Sequence, residues 1–265
     1  MNGKKILFLH IPKTAGQSVH AALVDSFGKE AVSPTRVQEQ LNGCSMRELR
    51  HYKVFSGHLD WSMLDFLRPD VYSFTVLRRP IDRILSFYFF LRDQGQNLPP
   101  EKRSNPENQG LKAAYELSPD EYFCGAANGL RSFIDEHFDN FYTYYFAGRR
   151  QDARRFLLTR LRSGSLSSEQ LLNVAYDNLK EVDRVFDVSD MSAVFDFVRQ
   201  LGGQSAKAAP KEYRVNVNPA GSRSPKTQQL ADLGATEKVF KRLQEYCKFD
   251  DELYGMAQRS IIHTS

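Results

Sequence analysis

The sequence predicts an α/β fold, a three-layer sandwich with a central parallel sheet. Three observations carry that expectation. Short apolar runs of strand length alternate with longer segments of helical period along the 265 residues. Two of those runs end in loops that open directly into a helix, the connection that parallel strands require. Hydrophobic residues make up 41% of the chain, enough to cover both faces of such a sheet.

The elements follow in chain order. Ile6-Leu7-Phe8-Leu9 is apolar and bounded by a breaker, so a strand is expected over 5–10. His10-Ile11-Pro12-Lys13-Thr14-Ala15-Gly16-Gln17-Ser18 reads as a loop, and a helix is expected over 16–27. A second strand is expected over 53–56. Tyr72-Ser73-Phe74-Thr75-Val76-Leu77 is β-branched and aromatic and reads as a third. It stops at Arg78-Arg79-Pro80, and Pro80 suits the first turn of a helix over 80–92. A fourth strand is expected over 184–188, and further helices over 119–128, 149–162, 168–180, 190–201, 225–233 and 237–259. Ser118 with Glu121, and Ser167 with Gln170, have the spacing of capping boxes. Gly202-Gly203 stops the helix that Asp190 begins. Residues 93–117 read as an exposed loop, and 203–224, poor in apolar residues, as a mobile segment.

Chemistry concentrates at two strand ends. A small-residue loop opening a helix presents main-chain N–H groups and the positive end of the helix dipole to an anion. Lys13 adds a positive charge, and Thr14 and Ser18 add hydroxyl donors. The lysine precedes the glycine, so the loop is not G-x-x-x-x-G-K-[ST]. After the third strand Arg78 supplies a charge that cannot be lost and that grips phosphate bidentately. Two candidate anion sites therefore stand between a strand and a helix.

Composition narrows the rest. Net charge is +4, and no run of 18 apolar residues exists, so no membrane span is expected. The first strand leaves no room for a signal peptide. Cys44, Cys124 and Cys247 are far apart and odd in number. A cytoplasmic protein with reduced thiols, forming one domain over 1–265, is expected. Ligand spacing for a metal is absent, so none is expected. Arg149, Arg150, Arg154, Arg155, Arg160 and Arg162 form a basic stretch that suits an anionic partner, such as an acidic glycan, or a solvated helix face. No motif for nucleic-acid recognition is visible, and the sequence does not give the oligomeric state.

Pro12-Lys13-Thr14-Ala15-Gly16-Gln17-Ser18 resembles the 5′-phosphosulfate loop of sulfotransferases that use 3′-phosphoadenylyl sulfate (PAPS). Arg78-x-Pro80-x-x-Arg83-x-x-Ser86-Phe87-Tyr88 resembles the 3′-phosphate element of the same enzymes, with Arg78 and Ser86 at the binding positions. The resemblance extends over nearly the whole chain. Gly57-His58, with Leu64-Asp65-Phe66 after it, looks like the segment of uronyl 2-O-sulfotransferases. Asp139–Gly148 resembles a segment lining the acceptor side. Asn216-Val217-Asn218, with Arg223 and Lys226, resembles the late loop that closes over the nucleotide. The chain is thus similar to membrane-type carbohydrate sulfotransferases, in a form without the anchor. Gln17 departs from the family's usual Thr or Ser.

The resemblance implies the P-loop NTPase-like sulfotransferase fold, PAPS as donor, PAP as product and a hydroxyl-bearing acceptor, carbohydrate first among candidates. It implies His58 as general base and Lys13 on the departing charge, in an in-line displacement at sulfur. Asp60 and His10 are reserve bases. Two other readings stay open: a P-loop-type kinase using ATP, and a non-catalytic nucleotide-binding protein. The kinase reading suits Arg78-Arg79 poorly, because a Mg²⁺ site would want an acid at that strand end.

Overall fold

The computed structural model describes residues 4–67, 70–103, 105–203 and 224–260. Among them, strands β1 (Lys5–Leu9), β2 (Val54–Gly57), β3 (Val71–Leu77) and β4 (Arg184–Asp187) form one parallel sheet in the order β2-β1-β3-β4. The helices are α1 (Gly16–Phe27), α2 (Gln38–Asn42), α3 (Met46–His51), α4 (Ser62–Leu67), α5 (Pro80–Gln96), α6 (Gln109–Glu116) and α7 (Asn128–Phe138). Then come α8 (Phe141–Gly148), α9 (Ala153–Arg162), α10 (Ser168–Lys180), α11 (Met191–Leu201), α12 (Lys226–Asp232) and α13 (Glu237–Ser260). All four expected strands are present, within a residue or so of their expected ends.

Two compact units divide the chain. The first comprises residues 1–78, 144–219 and 255–265. It holds the sheet. Strand side chains alternate between faces. Ile6, Phe8, Val54, Phe74, Val76 and Phe186 pack against Val19, Ala22 and Leu23 of α1 and Val194 and Val198 of α11. Leu7, Leu9, Phe55, Leu77 and Val185 point to the opposite face and are also buried. Both faces are covered, which is why these strands read as unbroken apolar runs. The expected α/β sandwich is the observed fold. In-register pairing sets Leu9 beside both Gly57 and Thr75. The carboxyl ends of β1, β2 and β3 therefore open at one edge, where ligands of such sheets bind.

The second unit comprises residues 79–143 and 220–254 and is helical. Its core is aromatic, with Tyr88, Tyr122, Phe123, Phe138 and Tyr246 in one cluster. Here the expectation for 93–117 is corrected. Helix α5 continues to Gln96, and α6 packs on it with Gly110, Ala113 and Ala114 buried. A Cβ on Gly95 would overlap the main chain at Leu111, so glycine permits this close approach. Small residues at i, i+3 and i+4 bury a helix whose other letters are polar. The helix expected over 119–128 is present over 119–125, where two α-helical residues run into a π-helical turn at Glu121–Gly125, and it stops three residues early. Ser118 and Glu121 do exchange the paired hydrogen bonds of a capping box. The box at Ser167 and the cap at Asp190 form as expected.

Buried polar groups fasten this unit. Asp250 is fully enclosed and accepts hydrogen bonds from Tyr142 N (3.0 Å), Thr143 N (2.8 Å) and Thr143 Oγ1 (2.8 Å). Asn140, in the left-handed region at φ 45, accepts from Phe249 N (2.6 Å) and donates its own N–H to Tyr246 O (2.7 Å). Asparagine is among the few residues that tolerate that conformation. Burial pushes the Asp250 carboxyl up to about 6, against the opposite pull of Arg83 and of the three donors.

Asp250→Ala is expected to lower the unfolding free energy by about 2–5 kcal/mol, since it strands three buried donors. A carboxyl raised in the folded state contributes stability that is whole below its unfolded value and lost as pH rises through its folded one. Relative to Asp250→Asn, the wild type should therefore lose stability from about pH 4 to about 6 and no further above. Urea midpoints measured in pH steps check both statements.

Candidate active site

The loop between β1 and α1 is shaped by its backbone. Lys13 and Ala15 are both left-handed, at φ 72 and 62. Such conformations are costly for side-chain-bearing residues and persist where the surroundings impose them. Left-handed residues in a tight loop favour the backbone concavities that take anions. No side chain caps α1, and its first turn carries no acid. Thr14 is fully buried, and its hydroxyl donates to Ile11 O at 2.9 Å. That hydroxyl braces the loop. Ser18 is buried, Gln17 is exposed, and Pro12 and Lys13 are half-buried. Arg78 reaches across from the end of β3, its Nη1 donating to Lys13 O at 3.4 Å. The two sequence motifs thus meet at Lys13. The loop thus sets Lys13 and Arg78 side by side at the start of α1.

His10 joins the loop to the second strand. A Cβ on Gly16 would overlap the His10 ring, so only glycine lets the helix start there. The His10 N–H donates to Gly57 O at 3.1 Å. In return, His58 Nδ1 lies 2.9 Å from His10 O. A carbonyl can only accept, so Nδ1 carries the proton and Nε2 holds the lone pair. The two imidazoles stack with centroids 4.2 Å apart and planes 27° apart. The His58 N–H donates to Arg36 O at 2.7 Å, which fixes its main chain. Burial holds the His58 pKa below the ordinary 6.5, reinforced by the Arg36 charge and opposed by the bond to His10. Burial, then the His58 and Arg36 charges, push His10 lower still. The His10 Nδ1 is buried with no partner among the described residues. Both rings therefore favour their neutral form, and His58 is the one whose tautomer is fixed by a hydrogen bond.

The remaining candidates have other surroundings. The Asp60 carboxylate accepts the Gln151 N–H at 2.9 Å, and the Gln151 amide donates to Leu59 O at 3.3 Å. Asp60 is thereby committed to holding the 149–152 segment. That tie and the left-handed Arg149 (φ 60) delay α9, which starts at Ala153 instead of the expected 149. Arg149 bonds Asp65 at 2.7 Å and Arg150 pairs with Asp152 at 2.7 Å, so these two arginines have carboxylate partners. His20 Nδ1 lies 3.1 Å from Ser56 Oγ. In the second unit, Ser86 is buried on α5 and Lys226 opens α12. Arg83 is fully buried there. It donates to His137 O at 3.0 Å and faces the Phe141 ring at 4.9 Å, a packing role. Arg223 and Asn216–Asn218 lie outside the described residues. Gln151 and the Arg36 main chain had no motif to announce them; both act through backbone bonds.

At pH 7 the His58 ring should be neutral with its proton on Nδ1 and a pKa below 6.5. Ring ¹⁵N–¹H correlation spectra report the tautomer directly, and a proton found on Nε2 would overturn this geometry.

Among the described residues no group of three or more His, Cys, Asp or Glu side chains converges as metal ligands. No helix there is long and apolar enough to cross a membrane. The three cysteines are free thiols. No curated protein matches the chain. The family model described as the sulfotransferase family matches residues 2–257. A match of that extent, over a parallel sheet whose first strand opens through a short loop into a helix, shows the family: the chain belongs to the sulfotransferase family, enzymes that transfer a sulfuryl group.

Proposed function

We propose that the chain is a single PAPS-dependent sulfotransferase domain over 1–265, sulfating an acceptor hydroxyl without a metal. One observation carries the reading. The anion cradle and the base hang from the same residue: His10 begins the loop that ends at Gly16, and its carbonyl sets the His58 tautomer. Neither compact unit is a contiguous stretch of chain, which supports treating 1–265 as one domain.

PAPS, when bound, supplies the sulfuryl group, and PAP remains. The chain's own residues do the rest. Main-chain N–H groups from Lys13 to Ser18 hold the 5′ end, with the α1 dipole behind them. The Lys13 ammonium stabilises charge on the departing side, where positioned cations do most of the work in transfers of this type. By the family resemblance Arg78 and Ser86 are the residues for the 3′-phosphate, and Arg223 and Lys226 belong to the late nucleotide-binding segment. His58 Nε2 accepts the proton of the acceptor hydroxyl as its oxygen attacks. A neutral imidazole below its usual pKa is in the right state for that at pH 7. The acceptor is a carbohydrate hydroxyl, with acidic glycans favoured by the exposed Arg160 and Arg162 on α9.

PAP should bind more tightly than AMP, and Arg78→Ala should erase about 1.5–3 kcal/mol of the PAP binding free energy, the range for hydrogen bonds to charged groups. Isothermal calorimetry decides this, and equal affinity for PAP and AMP would remove the 3′-phosphate assignment.

His58→Ala should cut turnover by about 10²–10⁴-fold while PAP affinity survives. Lys13→Ala should lower kcat far more than it weakens PAP. The assay is transfer of label from PAPS to host-extract glycans. Activity with ATP and strict Mg²⁺ dependence would point to the kinase reading instead.

A further inference from the structure

The first unit holds a second concentration of positive charge, away from the loop after β1. Arg36 is half-buried between α1 and α2 in the chain. Its main chain is fully engaged: the N–H donates to Gln40 Oε1 at 2.9 Å, and the carbonyl accepts from His58 N at 2.7 Å. Its side chain is not. Nε is buried without a hydrogen-bond partner, and no carboxylate pairs with the guanidinium among the described residues. A rigid backbone thus presents a charge that nothing answers. Leaving an ionised group part-buried and unpaired is costly, and a counter-ion relieves that cost.

The guanidinium lines a cavity of about 270 Å³, which also takes in His20, Lys29, Glu30, Ser33 and Tyr52. Lys29 brings a second cation to the rim. Val24, Val32 and Pro34 make part of the wall apolar, so charge interactions inside are less screened. His20 bonds Ser56, and burial followed by the Arg36 charge pushes it down to about 4, so it is neutral. Glu30 is the one acid in the lining. It is exposed and makes no ion pair with Arg36 or Lys29 among the described residues. The volume suits a small group. The forked donors of arginine match the two oxygens of a planar or tetrahedral oxyanion.

We infer that the Arg36 cavity binds a compact oxyanion, a carboxylate or a sulfate, held by Arg36 with Lys29 at its rim. Two sources can supply that chemistry. One is an acidic group of the acceptor. Val37 pairs with His58 in a parallel bridge, so the Arg36 segment runs directly beside the base. The other is free sulfate. The assignment of the site stands on Arg36 alone, and only the acceptor source rests on the sulfotransferase reading.

The test uses the full chain saturated with PAP, so that the loop after β1 is already occupied. Inorganic sulfate is titrated by calorimetry at constant ionic strength into wild type, Arg36→Gln, Arg36→Lys and Lys29→Gln. Sulfate should bind the wild type at one site, and Arg36→Gln should bind about ten- to a hundredfold more weakly, the range for losing charge-assisted hydrogen bonds. Arg36→Lys should fall between, and Lys29→Gln should lose less. Lys29 is exposed, so this variant still reports if Arg36→Gln fails to fold. No sulfate binding to the wild type, or equal binding by all four proteins, overturns the site. A chondroitin hexasaccharide and its carboxyl-reduced form are then tested as competitors. Displacement of sulfate by the acidic form alone identifies the acceptor as the source; displacement by neither leaves the site with free oxyanion as its ligand. If PAP itself does not bind, the donor reading fails, while the comparison among Arg36 variants still judges the cavity.

Discussion

The contact on which the chemistry turns is the hydrogen bond from His58 Nδ1 to the main-chain oxygen of His10. It depends on the sheet. Leu9 lies beside Gly57 in the β1–β2 register, so the next residue of each strand, His10 and His58, leaves the sheet side by side. A slip of one residue would point one ring to the other face. It also depends on Gly16, because the His10 ring fills the space that any Cβ there would need. Sheet register, helix start and imidazole tautomer are therefore one constraint. A change in any of them alters the lone pair offered at Nε2.

The second unit solves a different problem. It is helical, so its internal fastening comes from side chains instead of ladder bonds. Asp250 and Asn140 both satisfy main-chain N–H groups across more than a hundred residues of sequence, tying 140–143 to 249–250. Polar groups this enclosed tolerate no loose ends. Arg83 is the exception that shows the strain. It has one carbonyl partner and two aromatic faces, and its Nε and Nη1 are buried without partners among the described residues. The nearby Asp250 charge offsets part of that cost, and Arg83 in turn lowers the Asp250 pKa.

How far the letters reached depends on what set each feature. Strand β1, helix α1 and the turn into α5 were legible because local signals agreed: apolar run, breaker, Pro at the first helical position. The caps at Ser167 and Asp190 are equally local and formed as read. The stretch 149–162 misled because its Arg, Leu and Ala letters favour helix throughout, while a tertiary bond from Gln151 to Asp60 holds its first residues out of it. Residues 93–117 misled the other way. Their polar letters hid a small-residue stripe whose meaning appears only beside Gly95. His58 was found through a likeness of motif, but its proton position could not be, since that needs a carbonyl 48 residues away. Arg36 gave no signal at all, because an unanswered charge is a property of surroundings.

The electrostatics of the first unit also fix what must happen after a proton is taken. On the proposed reading His58 becomes an imidazolium as the acceptor loses its proton. Its surroundings disfavour charge: burial, and then the Arg36 guanidinium, lower its pKa. One term acts the other way, since the bond to His10 O strengthens when the ring is charged. Burial and charge outweigh that single bond, so the ring favours its neutral form. Depressing the pKa weakens the ring as a base, yet it keeps the resting ring unprotonated and the product state short-lived. On the proposed reading, an oxyanion bound at Arg36 would offset the Arg36 charge and favour the protonated His58 ring.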